Sequence, residues 1–173
     1  MMQITGGVSR HGAPTEGPRR QAQLACFRLG EEFYALDIMK IREIIKPQKL
    51  TPVPRAPSFI EGVINLRGVV IPVVDMRRRF GLPIEPGRQK SRIIICSFSE
   101  KIIGLLVDEV TEVRSFTREE VQPPPPFMQG PATDFILGVC RVRGELLVIL
   151  DVEKILSNDE KIDFESFRVN KSA

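Results

Sequence analysis

Gly62-Val63-Ile64-Asn65-Leu66-Arg67-Gly68 runs into the apolar stretch Val69–Val74 and then Asp75. The same frame returns 76 residues later: Gly138-Val139-Cys140-Arg141-Val142-Arg143-Gly144, the apolar stretch Leu146–Leu150, and Asp151. Both glycines, the arginine and the aspartate match. Upstream, Ile38, Ile41, Glu43 and Ile44 answer to Val107, Val110, Glu112 and Val113 at a shift of 69. Self-similarity at a fixed period marks a duplicated structural unit. The sequence therefore reads as two copies of one unit, about 23–88 and about 89–157.

Working outward from the repeat, each copy holds a strand, an Arg-Gly turn and a second strand. Gly68 and Gly144 supply the positive φ of a tight hairpin. Arg67 and Arg143 then stand at hairpin tips, where a turn arginine either merely solvates or meets a partner. Short runs rich in Val and Ile recur along the chain, each ended by Gly, Pro or charge, at the length typical of strands. They are Leu24–Leu29, Phe33–Ile38, Ile41–Ile45, Gly62–Leu66, Val69–Val74, Ile93–Phe98, Ile102–Val107, Val110–Val113, Gly138–Val142 and Leu146–Leu150. No segment carries a long 3.6-residue apolar stripe. The helical signals are short: Asp75 can cap Met76–Phe80, with Gly81 beyond, and Asp151 can cap Val152–Leu156, with Asn158 beyond. The expectation is an all-β protein with ten strands and short helices. Sheets of five strands manage their edges best by closing. Two small five-stranded barrels related by a pseudo-twofold, with a cleft between them, follow from the repeat.

Residues 1–22 mix Gly, Pro, Arg, Thr and Ser with little apolar content and read as a disordered leader; residues 158–173 form a C-terminal tail. The Pro-rich run Gln122–Phe127 reads as a stiff extended spacer within the second unit or as a ligand for a proline-reading domain. Arg77-Arg78-Arg79, on a short capped helix, reads as a solvated face. Cys26, Cys96 and Cys140 are scattered and unpaired, which suits small buried hydrophobes rather than a disulfide or zinc set. No stretch of membrane-span or signal-peptide length appears, so a cytoplasmic protein without direct membrane insertion is expected.

The chemistry available narrows the function. His11, in the leader, is the only histidine, which removes Ser-His-Asp and Cys-His catalysis and most transition-metal sites. No phosphate-cradling glycine loop is present. Asp108 and Glu109 are adjacent on a strand, so they face opposite sides and do not converge for acid–base work. The sequence points to surfaces, with no catalytic, cofactor-binding or metal residues expected. The net charge is +3, and two of those charges lie in the leader, where Arg10, Arg19 and Arg20 stand against Glu16. A small-barrel nucleic-acid-binding protein is the competing reading, carried by that leader and Arg77–Arg79. The absence of Trp and the single Tyr weigh against a base-stacking platform.

Five stretches together resemble the CheW family of chemotaxis coupling proteins: Phe33–Ile38, Ile41–Ile44, Phe59–Gly68, Ile71–Arg77 and Ile103–Val110. The likeness runs from about Leu24 to Leu156. It implies two intertwined, SH3-like five-stranded barrels. It implies a non-enzymatic adaptor that joins the cytoplasmic tip of a methyl-accepting chemoreceptor to the regulatory domain of a CheA-type histidine kinase. The adaptor would be a monomer that assembles into membrane-associated arrays, with no nucleic acid among its partners. By resemblance, kinase contacts fall at Ile38, Glu43, Ile44 and Glu61, with a second contact at Phe127. Receptor contacts fall at Asn65, Arg67, Gly68, Val110 and Val113. The four prolines before Phe127 depart from the family pattern at that second contact. In the second copy Arg141 replaces the asparagine and Glu145 stands where the first copy has Val69, so Glu145 is placed to pair with Arg143 or Arg141.

Overall fold

The computed structural model describes residues 21–85, 88–129 and 133–155. Ten strands appear in chain order: β1 (Gln21–Leu29), β2 (Glu32–Asp37), β3 (Ile41–Ile45), β4 (Ile60–Leu66), β5 (Val69–Asp75), β6 (Arg92–Phe98), β7 (Lys101–Val107), β8 (Glu109–Thr117), β9 (Ile136–Val142) and β10 (Glu145–Leu150). Each lies on one of the ten runs expected from the sequence. Two helices of four residues, α1 (Met76–Arg79) and α2 (Val152–Ile155), follow β5 and β10. The expected caps are in place. Asp75 accepts from the Arg77 N–H at 3.0 Å, and Asp151 accepts from the Glu153 N–H at 3.0 Å. The continuation of α2 to Leu156, Asn158 and the tail lies outside the described residues, as does the leader up to Arg20. The leader was expected to reach residue 22, but Gln21 and Ala22 pair with Thr117 and Phe116 of the long β8 and so belong to the sheet.

The strands form two five-stranded sheets, in the orders β3-β6-β7-β5-β4 and β8-β1-β2-β10-β9. Exchanging the two repeat copies maps one order onto the other, so the pseudo-twofold holds strand for strand. The copies do not each close a barrel of their own, which corrects the assignment of one barrel to about 23–88 and the other to about 89–157. The hairpin β1–β2 leaves its own copy to pair with β8 and β10, and β6–β7 makes the reciprocal move with β3 and β5. The linkers give the reason. Each third strand lies antiparallel to the first strand of a hairpin and hence parallel to the second. Parallel consecutive strands need a crossover of a dozen residues or so. The β2–β3 link is only Ile38–Lys40, and the β7–β8 link is Asp108 alone. The chain has no room to return, so it runs straight on into the other barrel.

Closure is also duplicated. The segment after β3 bridges back to β4, with Thr51 and Val63 exchanging hydrogen bonds of 2.9 and 2.8 Å. Gln122, at the head of the Pro-rich spacer, makes the same exchange with Val139 of β9, at 2.8 Å in both directions. Gly62 and Gly138 allow this approach. A Cβ at either would lie 2.6 Å from the Thr51 carbonyl oxygen or 2.7 Å from that of Gln122.

Three apolar clusters result. One fills the first barrel (Ile64, Ile71, Val73, Ile93, Ile95, Leu106) and one the second (Leu24, Cys26, Ala35, Phe116, Cys140, Leu147, Ile149). The largest lies between the barrels and draws Phe27, Tyr34, Phe59, Met76, Phe135, Val152 and Ile155 from both copies. Twin residues meet there. The Arg79 guanidinium lies 5.4 Å from the ring of Phe59 and 5.5 Å from that of its twin, Phe135. Its Nε donates to the carbonyl of its own twin, Ile155, at 2.6 Å.

Of Arg77–Arg79 only Arg78 is exposed, so the run is not the solvated face expected. Arg77 is 3% exposed and donates to Asp108 from Nε at 2.9 Å and Nη2 at 2.6 Å. Asp108 also accepts from Arg88 at 3.1 Å and from the Gly30 N–H, in the β1–β2 turn, at 2.7 Å. One buried carboxylate thus ties α1 of one barrel to the first hairpin of the other. Burial alone would raise its pKa, but the hydrogen bonds from Arg77, Gly30 and Arg88 outweigh burial and hold it below the usual carboxylate range.

Candidate functional site

The β4–β5 hairpin carries the most distinctive surface group. Arg67 and Gly68 have φ of 52° and 86°, and their twins Arg143 and Gly144 have 53° and 82°. Positive φ at both central positions defines a type I′ turn, whose twist matches the strands on either side. The arginine as well as the glycine sits in left-handed space. A side chain there costs more than glycine or asparagine would. Asn65 steadies the first turn by accepting from the Gly68 N–H at 2.9 Å. Arg141 stands in that place in the second copy.

Arg67 leans across the closed edge of the barrel, and its Nη2 donates to Glu43 Oε2 of β3. Ile44, the next residue of the strand, faces the other way and is 40% exposed. The second copy repeats the device: Arg143 lies 3.6 Å from Glu112 of β8, with Val113 next to it at 51% exposure. The expected local pairing of Arg143 or Arg141 with Glu145 is not what forms. Glu112 is nearer across the barrel edge, and it also faces Arg114 at 3.6 Å.

The residues expected to meet a kinase divide between the barrels. Glu43 and Ile44 lie on β3, Ile38 is half-buried just before it, and Glu61 is half-buried on β4, 3.7 Å from Arg78. Phe127, 81% exposed, sits on the one-turn helix Pro126–Met128 of the spacer leading into β9. The residues expected to meet a receptor also span both barrels. Asn65, Arg67 and Gly68 form the first hairpin tip. Val113 is exposed on β8, while Val110 packs partly against the inter-barrel core. The Arg67–Glu43 ion pair joins a residue from each expected set, so the two surfaces share a border at this hairpin. Sequence reasoning missed Met39, 84% exposed in the middle of the β2–β3 link, and the buried Asp108 hub. An acid at 108 where its twin is Met39 was the available signal.

These surfaces are held by folded backbone rather than by reactive groups. All three cysteines are buried and free. Burial raises the thiol pKa to about 12 at Cys96, and burial with nearby Glu112 raises that of Cys26 to about 11. Both stay protonated and inert at neutral pH. Among the described residues no helix is long and apolar enough to cross a membrane.

A family model described as "CheW-like domain" matches residues 23–160. The chain is 36% identical over 144 residues to "Chemotaxis protein CheW" of Treponema pallidum (strain Nichols), covering 81% of this chain and 85% of that protein. It is 29% identical over 140 residues to "Protein FrzA" of Myxococcus xanthus, covering 80% of this chain and 87% of that protein. Its fold is similar to the crystal structure of the scaffolding protein TtCheW from Thermoanaerobacter tengcongensis, with a TM-score of 0.74 and 34% identity over 83% of this chain and 92% of the other.

Proposed function

The chain belongs to the CheW-like family of chemotaxis scaffolding proteins, and from that premise we propose that it is a non-enzymatic adaptor coupling a chemoreceptor tip to the regulatory domain of a CheA-type histidine kinase. The observation that carries this reading is the rigid hairpin tip. Arg67 is held by Glu43, with Ile44 exposed on the same strand, on a closed barrel whose backbone leaves little to order on binding. Apolar residues bordered by one charge pair form productive interface centres, and a preformed surface avoids the entropy of ordering it. A guanidinium at such a tip suits a receptor carboxylate or the carbonyls at a helix end. Moderate affinity at each face is enough, because array membership multiplies weak links. The adaptor works in the cytoplasm at membrane-associated receptor arrays, as a monomer that joins the array through its partners. The nucleic-acid reading loses its folded part, since Arg77 and Arg79 are engaged inside the molecule.

The test is calorimetry against the kinase regulatory domain and, separately, a receptor cytoplasmic fragment. Wild-type protein binds both. Glu43→Lys weakens kinase binding on the order of tenfold or more, as expected for a reversed charge in a desolvated contact. The exchange Glu43→Arg with Arg67→Glu restores the internal pair without restoring kinase affinity. Recovery in the exchanged protein would mean that Glu43 acts only through Arg67. Failure of wild-type protein to bind either partner would remove the adaptor reading.

A further inference from the structure

Between β8 and the β9–β10 hairpin, the second barrel opens into a cavity of about 290 Å³. Its walls include Cys26, Phe33, Val142, Leu146 and Leu147. Cys26 and Leu147 are each 3% exposed, so the floor reaches the barrel's own core. The rim carries Glu112, Arg143 and Glu145.

The duplicated frame gives an internal reference for this hollow. Cys26 pairs with Ala35, and the matching pair in the first barrel is Ile95 with Gly104, which makes Ile95 the twin of Cys26. Val142 and Thr111, two other lining residues, have Leu66 and Arg42 as twins. Cys26 and Val142 are therefore smaller than their twins Ile95 and Leu66, while Phe33 and Leu146 are larger than theirs, Ile102 and Val70. Interiors normally leave few voids larger than a water molecule. A dry cavity of about 150 Å³ holds benzene, so this one has room for a ring with a short side chain.

The rim sets the charge of a guest. Arg143 is taken up by Glu112 at 3.6 Å. Glu145 replaces the apolar Val69 of the first copy, and among the described residues its carboxylate has no ion-pair or hydrogen-bond partner. An unpaired carboxylate thus stands beside an apolar floor, although Arg114 and Arg143 both face Glu112 nearby. A protein anchor is typically surrounded by a collar of contacts that excludes water. Here the collar is three charged side chains, of which Arg143 and Glu145 are exposed. We propose that the mouth of the second barrel is a binding site for a compact apolar amine. Its ring or branched chain enters among Phe33, Leu146 and Leu147, and its ammonium group meets Glu145.

The experiment is an amide NMR titration of the full chain with 2-phenylethylamine, and with phenylacetate as the counterpart of opposite charge. The expected result is saturable shifts at Phe33, Thr111 and Leu146. Binding weakens on the order of tenfold in Glu145→Gln and by at least as much for phenylacetate, the size of one charge-assisted contact. Cys26→Ile and Val142→Leu restore the bulk of the first barrel and abolish the shifts; the melting temperature of each variant verifies its fold. If both plugging variants misfold, the Glu145→Gln and phenylacetate arms still decide. The proposal is overturned by shifts that fail to saturate, by binding that survives a folded plugging variant, or by equal affinity for phenylacetate. It is equally overturned if the amine is inert while a receptor fragment shifts the same amides, because the guest is then a protein side chain.

Discussion

The two barrels share a frame and differ in their filling. Residues kept in both copies fix the backbone. Gly62 and Gly138 sit under a bridging carbonyl, and the two Arg-Gly turns have matching dihedrals. The N–H groups of Asp75 and Asp151 donate to the Phe59 and Phe135 carbonyls, both at 2.8 Å. Residues that differ set volume and charge: the first interior has Ile95 and Ile64 where the second has Cys26 and Cys140. A backbone clash has to be removed outright, whereas a change of core volume is tolerated by degrees. Duplication has therefore preserved the turns and bridges while the interiors and rims diverged. The Asp108 hub is the extreme case, since its twin, Met39, faces solvent.

The largest expected effect breaks that singular feature. Asp108→Ala leaves Arg77 buried without its carboxylate and should cost about 4 kcal/mol in denaturant unfolding. Met39→Ala, at the twin position, should change stability by less than about 0.5 kcal/mol. The pH dependence has a definite sign. The Asp108 pKa is depressed in the fold, so its contribution is complete above the unfolded value of about 3.9 and lost as pH falls through the folded value. The stability gap between wild type and Asp108→Asn should hold at neutral pH and narrow in acid below about pH 4.

Next come the interiors. Ile95→Ala should cost about 3 kcal/mol, because the first barrel is filled around it. Cys26→Ala should cost about 1 kcal/mol, because Cys26 itself already borders a hollow. Equal costs would mean that the two interiors are equally packed. A smaller effect, of about 2 kcal/mol at each site, is expected for Gly62→Ala and Gly138→Ala, since both force a Cβ onto a bridging carbonyl. This pair measures how alike the frames are.

The smallest effects on stability come from the hairpin tips. Arg67 and Arg143 are 71% and 75% exposed, so alanine at either should shift stability by no more than about 0.5 kcal/mol. Asparagine, at home in a type I′ turn, should be neutral or stabilising by a few tenths of a kcal/mol at both, as melting curves would register. Function separates the twins. Arg67→Ala should abolish receptor control of kinase activity in a reconstituted array, and Arg143→Ala should leave most of it. Equal loss would make the duplicated ion pairs functionally equivalent.

The strands, turns and caps were legible because their causes are local: alternating Val and Ile, an Arg-Gly pair, an aspartate before a helical turn. The resemblance implied intertwined barrels, but the repeat by itself did not show the exchange of hairpins, because twin strands offer a hairpin equivalent partners in either copy, and pattern alone does not choose. The choice is made by linker length, three residues before β3 and one before β8, which is visible only once sheet order is considered. Arg77 was misread for a related reason. Its neighbours in sequence are basic, while its partners come from 31 residues away at Asp108 and from the Pro83 carbonyl. The tip residues Arg67 and Gly68 were legible as a turn. Their link to Glu43 was not, because it forms only when the barrel closes between Thr51 and Val63.

The hairpin exchange also bears on how the protein is made. A ribosome releases β1–β2 first, yet the strands that flank that hairpin, β8 and β10, are among the last to emerge. Until then the apolar faces of Leu24–Leu29 and Tyr34–Leu36 have no sheet to join. The first barrel, β3 to β7, can close while the nascent chain is still growing. The second must wait for the C-terminal strands, and parallel pairing across such a separation is slow. Synthesis should thus pass through a stage with one barrel finished and an unhoused hairpin beside it. At that stage the chain is most exposed to aggregation and proteolysis.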